Sequence, residues 1–169
     1  MRALRWLAGG VALVMLSGCL GYKLGPTNGV VAGDKSIQIT PFFNQTLEPR
    51  LGDAVTTALR RELQQDGTYR LATHGTPDIL VTGVLKQYSR RELSFSPQDV
   101  LTVRDYRVNV TALVTARELA TGKVTTNWVT GFTLVRVGSD LASAERQALP
   151  VLAEDLAKNI TAALVDGSW

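Results

Sequence analysis

From Ser36 onward the chain switches between two hydrophobic periods, and each switch marks an element. "SIQITPFFN" (Ser36 to Asn44) is a β-branched run stopped by Pro41, which predicts a short buried strand and then a loop. In "TLEPRLGDAVTTALRRELQQDG" the apolar residues Leu51, Val55, Ala58, Leu59 and Leu63 recur at helical spacing. Pro49 suits the first helical position and Gly67 the end, while Arg50, Asp53, Arg60 and Arg61 lie mostly off the stripe. "YRLATHGTPD" reads as a short strand and turn.

Three long β segments follow. Between Asp78 and about Ser94, Ile79, Val81 and Leu85 share one face, with Leu80 and Val84 on the other. "SPQD" (Ser96 to Asp99) is a turn. From Tyr106 the alternation is clean: Val108, Val110, Ala112, Val114 and Ala116 point with Tyr106, while Arg107, Asn109, Thr111, Thr115 and Arg117 point away. Leu113 is the apolar exception on the polar side. Leu101 and Val103 have the opposite phase, so a bulge is expected near Arg104 and Asp105. After the turn "ATGK", Val124, Thr126, Trp128, Thr130, Phe132 and Leu134 alternate with Thr125, Asn127, Val129, Gly131, Thr133 and Val135. The first of these sets is expected to help cover the helices.

Leu141, Ala144, Ala148, Leu152, Leu156, Ile160, Ala163 and Leu164 then form a last helical stripe, with Pro150 predicted to kink that helix or start a second. The expected class is α+β: a two-layer sandwich with two helices on one face of a mostly antiparallel or mixed four-stranded sheet. The other face, rich in Thr, Asn, Arg and Lys, suits either plain solvent or a polar partner or amphiphile head group.

The residues before Ser36 change the picture. Arg2 and Arg5 precede an apolar run, Trp6 to Leu16, shorter than the roughly 20 residues that span a bilayer. Leu16-Ser17-Gly18-Cys19 has the pattern of a bacterial lipobox, and Cys19 is the only cysteine in 169 residues. Small residues give a peptidase access to the backbone, and the sulfur receives the diacylglycerol. Residues 1–18 are therefore expected to be a lipoprotein signal peptide, and 19–35 an acylated cysteine with an extended tether, "GYKLGPTNGVVAGD". Residues 36–169 are expected to form one domain. Leu20 and Gly21, rather than aspartate, follow Cys19, which in Gram-negative lipoproteins favours the outer membrane.

Charge then excludes one partner. The chain has 18 Lys+Arg against 15 Asp+Glu, and losing Arg2 and Arg5 with the leader leaves 16 against 15. No global field for nucleic acid remains.

Catalytic signals are scarce. His74, the only histidine, sits in a loop; an acylated Cys19 offers neither nucleophile nor metal ligand; Glu154 and Asp155 diverge as helical neighbours. No phosphate-binding glycine loop is present. Neither an enzyme nor a cofactor is expected, and no metal site. Lys86, Arg90, Arg91, Arg104 and Arg107 cluster around the central hairpin as candidate contacts for phosphate or carboxylate, although Glu92, Asp99 and Asp105 suit ordinary surface pairing equally. Tyr88, Phe95 and Tyr106 fit core, hairpin packing or contact alike.

The lipobox followed by "GYKLG", then "SIQITPFFNQTLEPRLGDAVTTALRREL", "PDILVTGVLKQYSRRELSF" and "VRDYRVNVTALVTARELATGKV", resembles the lipopolysaccharide-assembly lipoproteins (the LptE type) over the whole mature chain. That resemblance implies an α/β sandwich held inside a large outer-membrane β-barrel (the LptD type), supporting its assembly and contacting lipopolysaccharide. Its expected location is the outer membrane, lipid-anchored, facing the periplasm or within the barrel lumen. The alternative is a self-assembling envelope lipoprotein of a secretion channel, CsgG-like or pilotin-like, which would form homo-oligomers.

Overall fold

The structure is a computed structural model that describes residues 32–97, 99–137 and 140–166. Cys19, the leader and most of the tether lie outside the described residues. The elements run β1 (Ser36–Ile39), β2 (Phe43–Asn44), α1 (Leu51–Asp66), β3 (Arg70–Leu71), β4 (Ile79–Ser96), β5 (Asp99–Glu118), β6 (Val124–Arg136) and α2 (Leu141–Asp166).

These make an α+β fold with two helices and an open mixed sheet, ordered β3-β1-β4-β5-β6, with β2 also paired to β4. The sheet has six strands rather than the expected four. Pro41 interrupts what would be one strand alongside β4: β1 pairs with β4 at Ile37 to Ile39, and the chain resumes at Phe43 and Asn44 against Val84 and Leu85. In the gap, Phe42 N donates to Thr56 Oγ1, so the loop is pinned to α1. The two-residue β3 adds in parallel outside β1. Pairing is parallel among β1 to β4 and antiparallel through β4, β5 and β6.

The core lies between one sheet face and both helices. It joins Ile37, Ile39, Val81, Leu85, Val108, Val110, Ala112 and Val114 to Leu51, Val55, Leu59 and Leu63 of α1 and Leu152, Leu156 and Ile160 of α2. A buried aliphatic side chain of this kind contributes about 1.5–3 kcal/mol relative to leaving it in water. The α1 stripe is buried as its spacing predicts, and Gly67 caps the helix at φ 73°, its N–H donating to Leu63 O. Pro49 sits two residues ahead of the first helical position, Leu51, just before the N-cap Arg50. Asp140 caps α2, accepting from the N–H groups of Ala142 and Ser143. Helix α2 runs unbroken through Pro150.

The expected bulge is present: Ser94 pairs with Asp105 and Phe95 with Val103, leaving Arg104 as the extra residue. A second, at Lys86, lies between the Leu85–Ala112 and Gln87–Thr111 pairs. The faces of β6 are the reverse of the expectation. Val129, Gly131, Thr133 and Val135 turn to the helices, while Val124, Trp128, Phe132 and Leu134 are exposed. The loop joining the hairpin decides this. It aligns Arg117 with Val124, and residues directly opposite share a face, so the whole set follows Arg117 outward.

Candidate interaction face

Neither helix covers the second sheet face, and strand register writes its chemistry as transverse rows. One row is apolar across four strands: Phe43 opposite Val84, Val84 opposite Leu113, Leu113 opposite Trp128. Phe43 is 63% and Trp128 60% exposed. On one side of this belt is a threonine row, Thr82, Thr115 and Thr126, in which the Thr115 and Thr126 hydroxyls are 3.0 Å apart. On the other, Gln87, Thr111 and Thr130 align, with the two threonine hydroxyls 3.2 Å apart.

Beyond these come Ser89, Asn109 and Phe132, then Arg91, Arg107 and Leu134. The Arg107 guanidinium lies 3.8 Å from the centroid of the Phe132 ring, and its Nε donates to Asn109 Oδ1. Stacking on the ring helps fix the cation on this face. Through these rows the face carries arginine and no carboxylate. The acid at its far end, Asp105, is engaged by Arg136 and by the Ser94 hydroxyl, and these hydrogen bonds hold its carboxyl below the usual range.

The five predicted basic residues do not form one patch. Arg91 and Arg107 are direct cross-strand neighbours on the uncovered face. Arg90, one residue along, aligns with buried Val108 and therefore points to the helix side, where its Nη1 is 3.2 Å from Glu145 Oε1. Lys86, on its bulge, donates to Gln45 Oε1. Lys86 and Arg90 border an open cleft of about 410 Å³ with Glu48, Tyr88 and Glu145. Burial, and then Glu145 and Glu48, push the Tyr88 phenol up to about 12. Arg104 is exposed at the bulge it forms in β5.

Phe95 is exposed near the hairpin end, while Tyr88 and Tyr106 pack half-buried against the core. Glu154 and Asp155 diverge as expected, toward Arg61 of α1 and the backbone of β6 respectively. His74 is exposed in its loop. Among the described residues there is no group of acidic, histidine or cysteine side chains able to hold a metal, and no helix long and apolar enough to cross a membrane.

Sequence reasoning missed Phe43, Trp128, Phe132 and Leu134 as a surface. The available signal was register: once Arg117 is paired with Val124 across the turn, Leu113 must meet Trp128 on the polar side.

The chain is thus a two-layer α+β sandwich with one helix-covered face and one uncovered amphiphilic face. The LptE family model, described as lipopolysaccharide-assembly, matches residues 35–164, and the chain belongs to that family.

Solved structures show the same fold. A Xanthomonas campestris protein is 9% identical, with 86% of this chain and 93% of that one covered at a TM-score of 0.59. A hypothetical protein from Chlamydia trachomatis is 13% identical, covering 79% and 96% at 0.56. A minor lipoprotein from Acinetobacter baumannii is 14% identical, covering 79% and 94% at 0.51. A search of curated protein sequences finds no match.

Proposed function

We propose that this chain is a non-enzymatic outer-membrane lipoprotein, anchored through acylated Cys19 after removal of residues 1–18, whose 36–169 domain docks within a β-barrel translocon for lipopolysaccharide and supports its assembly. The observation that carries the reading is the uncovered face: a Phe43–Val84–Leu113–Trp128 belt between threonine rows, ending in Arg91 and Arg107. Wide outer-membrane barrels have a polar, water-filled interior, so a lumenal partner needs a mostly hydrogen-bonding surface with a few aromatic and arginine anchors. Membership of a lipopolysaccharide-assembly family supports the same partner. Lipopolysaccharide carries phosphates and acidic sugars, and the arginines of the uncovered face, with Lys86 and Arg90 at the cleft, are suited to contact them. The work of the protein is binding, with no covalent step.

The test is gentle detergent extraction of C-terminally tagged chain from its native membrane, followed by sizing and identification of what accompanies it. The expected result is a single large β-barrel protein in one-to-one ratio. Trp128→Ser combined with Arg107→Glu is expected to lower its recovery at least about tenfold, the scale of one hot-spot loss. A homo-oligomer of the tagged chain alone would overturn the reading and restore the secretion-channel alternative.

A further inference from the structure

Among the described residues strand β6 ends the sheet, and its outer backbone groups have no strand partner there. It is 13 residues long, and its pairing to β5 is regular throughout, without a bulge. From Val124 to Val135 it contains no charged residue and no proline, and it is rich in Val, Thr, Trp and Phe. Natural edge strands are usually shortened, bulged, or carry lysine or proline, because an open, uncharged, β-prone edge templates pairing with another chain. This strand has none of those devices.

Two side chains of α2 take their place. Phe132 N–H donates to Asp155 Oδ2 at 2.8 Å, and Asn159 Nδ2 donates to Thr130 O at 2.9 Å. These are the outward donor and acceptor at the middle of the strand, the groups that a neighbouring strand would use. Asp155 and Asn159 are four residues apart, one turn along the same helix face. They reach the edge because α2 comes unusually close at Gly131, where an added Cβ would lie 2.7 Å from Leu156 Cα. Toward the hairpin turn, Asn127 Oδ1 accepts from Trp128 N–H and occupies a third outward group.

We infer that β6 is a latent strand-pairing edge for a second copy of this chain, and that Asp155 and Asn159 hold it shut. With these caps in place the molecule meets partners through its face; without them two β6 edges can pair.

The test uses the full chain in detergent micelles, compared as wild type and Asp155→Ala/Asn159→Ala by analytical ultracentrifugation over a concentration series. The wild type is expected to remain a single protomer, and the double variant to dimerise at least about tenfold more tightly. Adding Thr130→Pro to the double variant removes an outward N–H from the edge without disturbing the β5 side, and is expected to restore the protomer. Far-ultraviolet circular dichroism checks that each variant is folded. A folded double variant that stays monomeric across the series would overturn the inference. So would self-association that Thr130→Pro leaves unchanged, since that would mark general unfolding rather than strand pairing.

Discussion

Asp78 shows how single polar groups tie distant segments together. Its Oδ2 accepts from Ser36 N–H at 2.7 Å and from Ser36 Oγ at 2.6 Å, while Asp78 N–H donates back to the same hydroxyl at 3.0 Å. The two side chains clamp the start of β1 to the start of β4 across 42 residues of sequence. Those hydrogen bonds hold the Asp78 carboxyl below its ordinary 3.8, and Lys35 does the same to Glu118 from 2.7 Å away. A depressed carboxyl contributes stability above its unfolded pKa and loses it as pH falls through the folded value. Thermal midpoints are therefore expected to drop as pH falls below about 4, and Asp78→Asn to flatten that drop while lowering the midpoint at neutral pH. Calorimetry between pH 2 and 7 measures both, and an unchanged pH profile in the variant would refute the assignment. Lys35 has the opposite sign: its raised pKa adds stability below the ordinary lysine value that is lost only as pH rises through the raised one.

At the scale of elements, the contact between α2 and the β5–β6 hairpin depends on size as much as on hydrophobicity. Gly131 faces the helix where Leu156 passes, and an added Cβ would meet its backbone N and Cα at 2.7 Å. A side-chain end can rotate away; a helix backbone cannot. Gly131→Ala is expected to cost about 1–3 kcal/mol as α2 lifts from the strand, with a lower thermal midpoint. The same lift would draw Asp155 and Asn159 from the edge, so the variant should also gain part of the self-association of the cap-deleted protein. Full wild-type stability in Gly131→Ala would show that α2 can shift freely. Pro150, which lies in the first half of α2, leaves this contact to the later turns, where Leu152, Leu156 and Ile160 are buried.

For the whole molecule, the division of labour between the two sheet faces separates stability from binding. Trp128 lies on the face that neither helix covers and is 60% exposed, so among the described residues its removal takes away chiefly a cross-strand pair with Leu113. Trp128→Ser is expected to change stability by less than about 1 kcal/mol, while weakening the barrel partnership proposed above. Denaturant titration beside co-purification distinguishes the two effects. A large loss of stability would mean that the ring supports the fold.

Local patterning determined much of this protein. The α1 stripe from Leu51 to Leu63, the alternation from Tyr106 to Ala116 and the phase change at Arg104 each follow from residue spacing, and each is present in the structure. Two helices with one stripe each allowed only one covered sheet face. What spacing could not decide was anything set by alignment between segments. Whether Trp128 or Val129 faces the helices depends on the pairing of Arg117 with Val124, because alternate residues of β6 are apolar enough on both faces to satisfy either choice. Neighbouring Arg90 and Arg91 must face opposite sides of their strand, but register and the Lys86 bulge decided which of them meets Glu145 and which lies beside Arg107. Periodicity is a property of one segment, whereas a face is shared by several, so only the tertiary structure could assemble the belt and the capped edge.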